Sequence, residues 1–305
     1  MTRRGATGLV GILPIDKPAG MTSHDVVAAV RTATGEGRVG HAGTLDPMAT
    51  GLLVVLIGAY TRLAPYLTSA TKAYEATITF GSETDTDDAA GAIVRTSPVP
   101  PEVREPAYAI SVLASCIGAS SQLPPAYSAL KVGGRTAYRA ARAGAPIELE
   151  PREIDVYRAD LASIDPGTDS WRVVFDVSKG TYVRALARDI GRMCGTAAHL
   201  SALRRISSGA LTLANAHSLD EVVAAGEADA LSALFADALT ALDLRVVPSA
   251  NANIFTGAAL DAPVGDTLTE GQAVAVTFEG VLAGVYRFVG GRLVPAVVLP
   301  GGVST

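Results

Sequence analysis

Cysteine and histidine are scarce in this 305-residue chain, which holds two of the first and four of the second. Cys116 and Cys194 lie 78 positions apart, so no CxxC ligand pair exists and a reducing compartment fits. Both thiols read as small core hydrophobes. His24, His41, His199 and His217 share no metal-ligand spacing, and no Ser/His/Asp or Cys/His set emerges from spacing alone. Long apolar runs are missing too, since none approaches the roughly 18 residues a spanning helix needs. The start, MTRRGATGLVGILPID, lacks a signal-peptide hydrophobic region followed by a cleavage site. A cytoplasmic location is therefore expected. No internal repeat or low-complexity tract is found.

Net positive charge is also absent. The formal charge is −5, which at first sight argues against a nucleic-acid partner. Its distribution softens that reading. From Asn215 onward there are three basic and ten acidic residues, whereas the preceding 214 carry a net charge of +2. Between Lys179 and Arg205 stand six basic residues and one acid, Asp189. A phosphate backbone senses such a local surface rather than the global balance. On charge alone, however, a solvated helix face is the better reading.

What is present is a core: hydrophobic residues make up 49% of the chain, enough to exclude global disorder. LVGILPIDKP reads as a short strand ended by Pro14 and Pro18. Thr22-Ser23 can cap a helix that carries Val26, Val27 and Val30 and stops near Gly35. LLVVLIG (52–58) suits a fully buried strand, and YEATITF (74–80) alternates, with Tyr74, Ala76, Ile78 and Phe80 on one face. A helix is expected from about Pro101 to Cys116. QLPPAYSALKVGGR reads as an exposed loop. TYVRALARDIGRMCG is helical, with Val183, Leu186, Ala187, Ile190 and Met193 inward and Arg184, Arg188 and Arg192 on one stripe. Gly195 follows as its C′ residue. A boundary falls near Asp243–Pro248, beyond which three short strands with glycine turns make a small all-β unit. The expected domains are 1–243 and 244–305.

Three motifs match by pattern and fail in context. GEGRVG (35–40) fits GxGxxG, but a helix precedes it and Pro47 soon follows. SALK (128–131) fits SxxK without its SDN and KTG partners. DTDDAAG (85–91) resembles a calcium loop, yet Ala89 and Ala90 stand where a ligand and a turn glycine belong.

One stretch resists a bland reading. GHAGTLDPMATGLL (40–53) is small and apolar apart from Asp46, which precedes Pro47. Asp-Pro alone is most often a turn initiator. Here glycines at 40, 43 and 51 leave room for a close backbone or ligand, and a buried strand follows.

RVGHAGTLDPMATGLL resembles the catalytic motif of the bacterial tRNA pseudouridine-55 synthases, the TruB family. LPIDKPAGMTSHDVV is similar to the family's N-terminal signature, and KAYEATITFGSETDTDDAAG to its second motif. QLPPAYSALKVGGRTAYRAARAG resembles the central loop, SKGTYVRALARDIG the third motif, and HLSALRRISSGAL the motif closing the catalytic domain. Together they cover most of residues 9–213 in the family's order. The last 60 residues look like the family's small RNA-binding PUA domain.

The resemblance implies an α+β fold: a mixed, mainly antiparallel central sheet flanked by helices, then a small all-β PUA-like domain. It implies an isomerase that converts uridine 55 in the T-arm of tRNA to pseudouridine. The N-glycosidic bond breaks, the uracil rotates and carbon 5 joins the ribose, so no cofactor or metal is required. A carboxylate can begin this as nucleophile or base, and Asp46 matches the family's aspartate. Charge in a dry pocket is expensive unless paired, and Arg184 matches the arginine that would pair with it. Tyr74 matches the tyrosine that stacks on the target base, and Tyr182 lies near the catalytic pair. Leu203 matches an apolar pocket wall, and Asp88 an acidic position near the pocket that is expected to contact the RNA. The uridine must leave the stack, and His41 matches the residue that fills the space.

Lys17, Arg38, Lys131, Arg135, Arg204 and Arg205 are candidates for phosphate contacts, which position RNA without specifying sequence. Asp85 and Asp87 read as a solvated loop. The partner expected is tRNA, with no membrane and the protein a monomer. Three alternatives stay open: a guide-RNA-dependent relative, a tRNA-folding chaperone without chemistry, and a soluble α/β protein with no RNA partner.

Overall fold

A computed structural model describes residues 7–145, 147–263 and 267–303. They fall into two compact units, residues 1–70 with 207–305, and residues 71–206. In the first, the expected apolar run becomes the strand Thr50–Ile57, buried from Gly51 onward. Gly11–Lys17 pairs with it antiparallel, Gly11 opposite Ile57 and Lys17 opposite Gly51. Val39–Ala42 pairs with it as well, setting His41 opposite Val55.

Pro14 does not end the first strand as expected; it sits mid-strand opposite Val54. Proline removes only a donor, so it is tolerated where no ladder bond must leave its nitrogen. Its carbonyl accepts from the His217 N–H at 3.0 Å. The helix Ser23–Thr34 begins in a capping box: the Thr22 hydroxyl accepts from Asp25 N–H at 3.1 Å, and the Asp25 carboxylate accepts from Thr22 N–H at 2.8 Å. Val26, Val27 and Val30 form its buried face.

The C-terminal strands belong to the same unit. Ala273–Phe278, Val281–Val289 and Arg292–Val303 run antiparallel, and Val246–Ser249 joins the first of them in parallel. One face of this five-stranded sheet packs Val274, Val276, Tyr286 and Leu293 around Ile254. The other presents Ala275, Leu282, Val285 and Leu299 to Ala42, Leu52, Val54, Leu56 and Tyr60 in one buried cluster. The layer preceding and following the GHAGTLDPMATGLL bend thus shares its core with residues more than 200 positions later.

The second unit is an antiparallel sheet. Its order is Ala198–Ser208, Lys72–Phe80, Ser170–Val177, Arg152–Asp165 and Gly118–Gln122. Along Lys72–Phe80 the expected alternation holds, with Tyr74, Ala76, Ile78 and Phe80 buried and Glu75 exposed. Trp171 anchors this face: its Nε1–H donates to the Val103 carbonyl at 2.7 Å and its ring meets Phe80 edge-on at 4.7 Å. The helices Pro106–Ser115 and Val183–Met193 pack together on the sheet. The fold is α+β, with a mainly antiparallel sheet flanked by helices and a small C-terminal all-β sheet. Among the described residues no helix is long and apolar enough to cross a membrane.

The shared cluster makes a prediction. Leu282→Ala should cost about 2–5 kcal/mol in urea unfolding. Amide hydrogen exchange should quicken in Thr50–Ile57 as well as in the C-terminal strands. A rise confined to residues 244–303 would show that the two layers are energetically separate.

Candidate active site

Asp46 lies on the bend between the strands Val39–Ala42 and Thr50–Ile57, and its carbonyl accepts from Ala49 N–H at 3.1 Å. The bend is anchored from two directions. The buried Ser23 hydroxyl accepts from Leu45 N–H at 2.8 Å and donates to the Leu45 carbonyl at 3.0 Å, tying Asp46's neighbour to the start of a helix. Lys17, fully buried, sends its Nζ to the carbonyls of Pro18, Met21 and Pro47 at 2.8, 2.7 and 3.4 Å. The phosphate role expected for Lys17 is therefore corrected: its ammonium lies inside, holding the carbonyls around the bend. Gly43 and Gly51 bracket the segment at φ 92° and 97°, where a Cβ would be strained. Asp46 and His41 are half-buried and Arg38 is exposed.

In the second unit the acidic loop 84–91 meets the helix Val183–Met193. Gln122, buried at the end of its strand, fixes the start of that helix. Its Oε1 accepts from Tyr182 N–H at 2.9 Å and its Nε2 donates to the Tyr182 carbonyl at 3.2 Å. One residue beyond Val183, Arg184 is only 5% exposed. Its two terminal nitrogens donate to the carbonyls of Thr86 at 2.8 Å and Tyr127 at 3.0 Å. Asp88 Oδ2 stands 3.5 Å from the guanidinium. The other oxygen of Asp88 is held by the Thr86 hydroxyl at 2.7 Å and Ala90 N–H at 3.0 Å, so the carboxylate keeps one orientation.

Several expectations are corrected by burial. The arginine stripe is not a solvated face, because Arg184 and Arg188 are buried and Arg188 donates to Asp87 at 2.8 Å. Asp87 is buried with it. Asp85 is half-buried, accepting from Ala92 N–H at 2.8 Å and from the Tyr127 hydroxyl at 3.3 Å. Met193, expected inward, is 50% exposed. The segment starting QLPPAYS is not an exposed loop throughout, since Gln122, Pro124, Pro125 and Ser128 are buried.

Arg205 is 1% exposed and so does not offer the phosphate contact expected of it. Arg204 is half-buried, Arg135 is exposed, and the Lys131 side chain lies outside the described residues. Tyr74 and Leu203 are buried, and Tyr182 is half-buried. Two residues before Tyr74, burial and then the charges of Arg205 and Lys179 lower the Lys72 ammonium from 10.5 to about 8.

Sequence reading missed Gln122, the Thr86 and Tyr127 carbonyls, and the inward turn of Arg188. A glutamine at a strand end carries no local mark of its partner, and a backbone acceptor has no side-chain signature. For Arg188 the spacing of one helical turn put it on the face of Arg184, but nothing nearby in the sequence showed that this face is covered.

Comparison with known proteins follows this geometry. Residues 31–183 match the model of the TruB family pseudouridylate synthase N-terminal domain, and residues 184–247 match that of the tRNA pseudouridylate synthase B C-terminal domain. The tRNA pseudouridine synthase B of Opitutus terrae is 46% identical over 220 residues, 71% of this chain and 88% of that protein. The Geobacter sulfurreducens protein of the same name is 41% identical over 284 residues, 87% of this chain and 92% of its own. Among solved structures, an archaeal box H/ACA sRNP Nop10–Cbf5 complex holds a chain that superimposes with TM-score 0.72 at 22% identity. That match covers 95% of this chain and 86% of the other. It is a likeness of fold.

The far end of the arginine helix is held by a buried carboxylate. Glu83 is buried and accepts two hydrogen bonds from Arg192, at 3.1 and 2.9 Å, and one from Arg95. Burial raises its pKa, but those hydrogen bonds and charges outweigh it and hold the carboxyl at about 2, below its usual 4.5. Its contribution to stability is complete above about 4.5 and is lost as the pH falls through about 2. Glu83→Gln should remove that part of the acid-unfolding profile, read as denaturant midpoints between those two values. An unchanged profile would show that the Glu83 pairs carry no net stability.

Proposed function

The chain belongs to the TruB family of pseudouridylate synthases, and from that premise we propose that it converts uridine 55 in the T-arm of tRNA to pseudouridine. The observation that carries this reading is the Asp46 bend. A carboxylate stands there on a segment fixed by Ser23 and Lys17, between two positions that only glycine occupies without strain.

In this reading Asp46 is the attacking group, as nucleophile or base, on a uridine extruded from the T-loop. Arg184 is its counter-charge and Asp88 orients Arg184. Tyr74 stacks on the uracil, Tyr182 borders the pair, Leu203 walls the pocket and His41 occupies the vacated stack. The N1–C1′ glycosidic bond breaks and a C5–C1′ bond to the same ribose replaces it, while carbon 5 gives up its proton and N1 takes one up from solvent. Product and substrate are isomers, so the chain's own side chains suffice. Arg38, Arg135, Lys131 and Arg204 remain the cations proposed to meet phosphate. Residues 244–305 are proposed as an RNA-binding domain attached to a catalytic part of residues 1–243, in a monomer. The curated relatives, named tRNA pseudouridine synthase B, favour this stand-alone activity over a guide-dependent one.

Asp46→Asn keeps the side chain's size and removes its charge. Pseudouridine formation on tRNA transcript should fall by about 10³-fold or more, while tRNA affinity stays within a few-fold. The checks are a tritium-release or mass-spectrometric assay and a filter-binding titration at fixed salt. Appreciable turnover by the variant would remove Asp46 from its assigned role. Arg184→Ala should impair the same step with a comparable bias toward kcat.

A further inference from the structure

We propose that Arg188 and Asp87 form a positioning pair that sets Arg184 and Asp88 in their working geometry by locking together the two loops on which both arginines rest. The proposal rests on the reading that Arg184 serves pseudouridine formation, and it assigns function to two residues outside that site.

Arg184 and Arg188 are one turn apart on the helix Val183–Met193, and each binds the same two segments. Arg184 holds the Thr86 carbonyl on the acidic loop and the Tyr127 carbonyl, at 2.8 and 3.0 Å. Arg188 holds the Asp87 carboxylate and the Leu123 carbonyl, at 2.8 and 2.9 Å. Its Nε donates to Asp189 at 2.9 Å, so each edge of the guanidinium has a partner within the protein. Residues 123–127 are the root of the segment that carries the exposed Arg135 and Tyr138. The doubled clamp therefore joins an RNA-facing candidate segment to the loop that aims Asp88.

Asp87 is the hinge of that loop. Its φ is 60°, a left-handed turn of the chain that aspartate tolerates better than most residues with a side chain. Two main-chain bonds hold it from the strand side, Leu200 N–H to the Asp87 carbonyl and Ala89 N–H to the Leu200 carbonyl, both 3.0 Å. Arg188 holds it from the helix side. Because Asp88 is the next residue, the backbone turn at Asp87 places the Asp88 carboxylate that Thr86 and Ala90 then orient. Arg188 acts through Arg184 and Asp88, and so positions the reacting groups without touching substrate.

The pair also has a pH signature. Burial raises the Asp87 carboxyl to about 6, with Arg188, Arg184 and Arg192 opposing and Asp189 assisting. Those four lie on the helix; Glu83, Asp85 and Asp88 lie on its own segment. The adjacent strand contributes His199, whose Nδ1 is 3.0 Å from the Ser82 carbonyl. Protonation on lowering the pH through about 6 removes the negative half of the clamp.

The test uses full-length protein and tRNA transcript. Arg188→Met should lower single-turnover kcat about 10- to 100-fold, the cost of misplacing a reacting group by roughly 1 Å. KM should stay within about two-fold, and Arg188→Lys should recover part of the rate. Wild-type kcat should drop as the pH falls through about 6, and Asp87→Asn should lack that inflection while being slow at every pH. Wild-type kcat in a folded Arg188→Met protein, a loss expressed wholly in KM, or an inflection that survives Asp87→Asn each overturns the proposal. If Arg188→Met does not fold, the Arg188→Lys rate and the Asp87→Asn profile decide by the same criteria. A wild-type chain inactive on tRNA would fail the functional reading and this pair with it, whereas an active wild type with indifferent variants fails only the pair.

Discussion

The free energy of burying guanidinium groups constrains this molecule more than any other single interaction. An arginine in a dry interior must be surrounded by acceptors, because an uncompensated buried charge costs several kcal/mol. Arg184 and Arg188 meet that demand with four loop groups: three backbone carbonyls and the Asp87 carboxylate, with Asp88 nearby. Those acceptors lie on loops that the strands hold only lightly, the 84–91 loop through an isolated bridge at Leu200. The arginines therefore tie residues 85–88 and 123–127 to the helix, adding to what the main-chain bonds supply. Gln122 at the helix start and Glu83 near its end extend the same arrangement along the whole of Val183–Met193.

A comparable economy governs the Asp46 bend. Lys17 has no exposure and faces three carbonyls, so a charge that could have met phosphate instead stiffens the backbone beside the carboxylate. Positioning by rigid neighbours is what a reaction dependent on geometry requires. The C-terminal sheet adds to this rigidity through the cluster joining Leu282 and Val285 to Val54 and Leu56. Its own cations are engaged within the fold: Arg287 lies 5.9 Å from the Tyr66 ring centroid and Arg292 pairs with Asp261. Support of the first unit's core is thus a visible role of that sheet, alongside the RNA-binding role proposed for it.

Local signals in the sequence correspond to local structure. The unbroken apolar run at 52–58, the alternation at 74–80 and the Thr22 cap each depend on neighbours within a few residues, and each appears where expected. The C-terminal strands were legible for the same reason, whereas the α+β class came from the family's motifs and not from local pattern. What stayed hidden depends on distant partners. An i, i+4, i+8 arginine stripe has the pattern of a solvated face, and only loops from residues 86 and 123 turn it inward. Lys17 and Arg205 read as surface cations because nothing adjacent in sequence reveals a cover. Pro14 looked like a terminus because the segment its carbonyl faces, at His217, is 203 residues away. At the candidate site, the residue types were legible in the motifs, whereas the supports of those residues were not.

The account rests most directly on one position of one substrate. Purified wild-type chain should be incubated with an unmodified tRNA transcript, without added proteins or guide RNA, and the product mapped by mass spectrometry of nuclease fragments. The account predicts a single new pseudouridine, at uridine 55, approaching one per tRNA. Absence of pseudouridine under conditions where the chain binds that transcript, or modification at other uridines in place of 55, would contradict it.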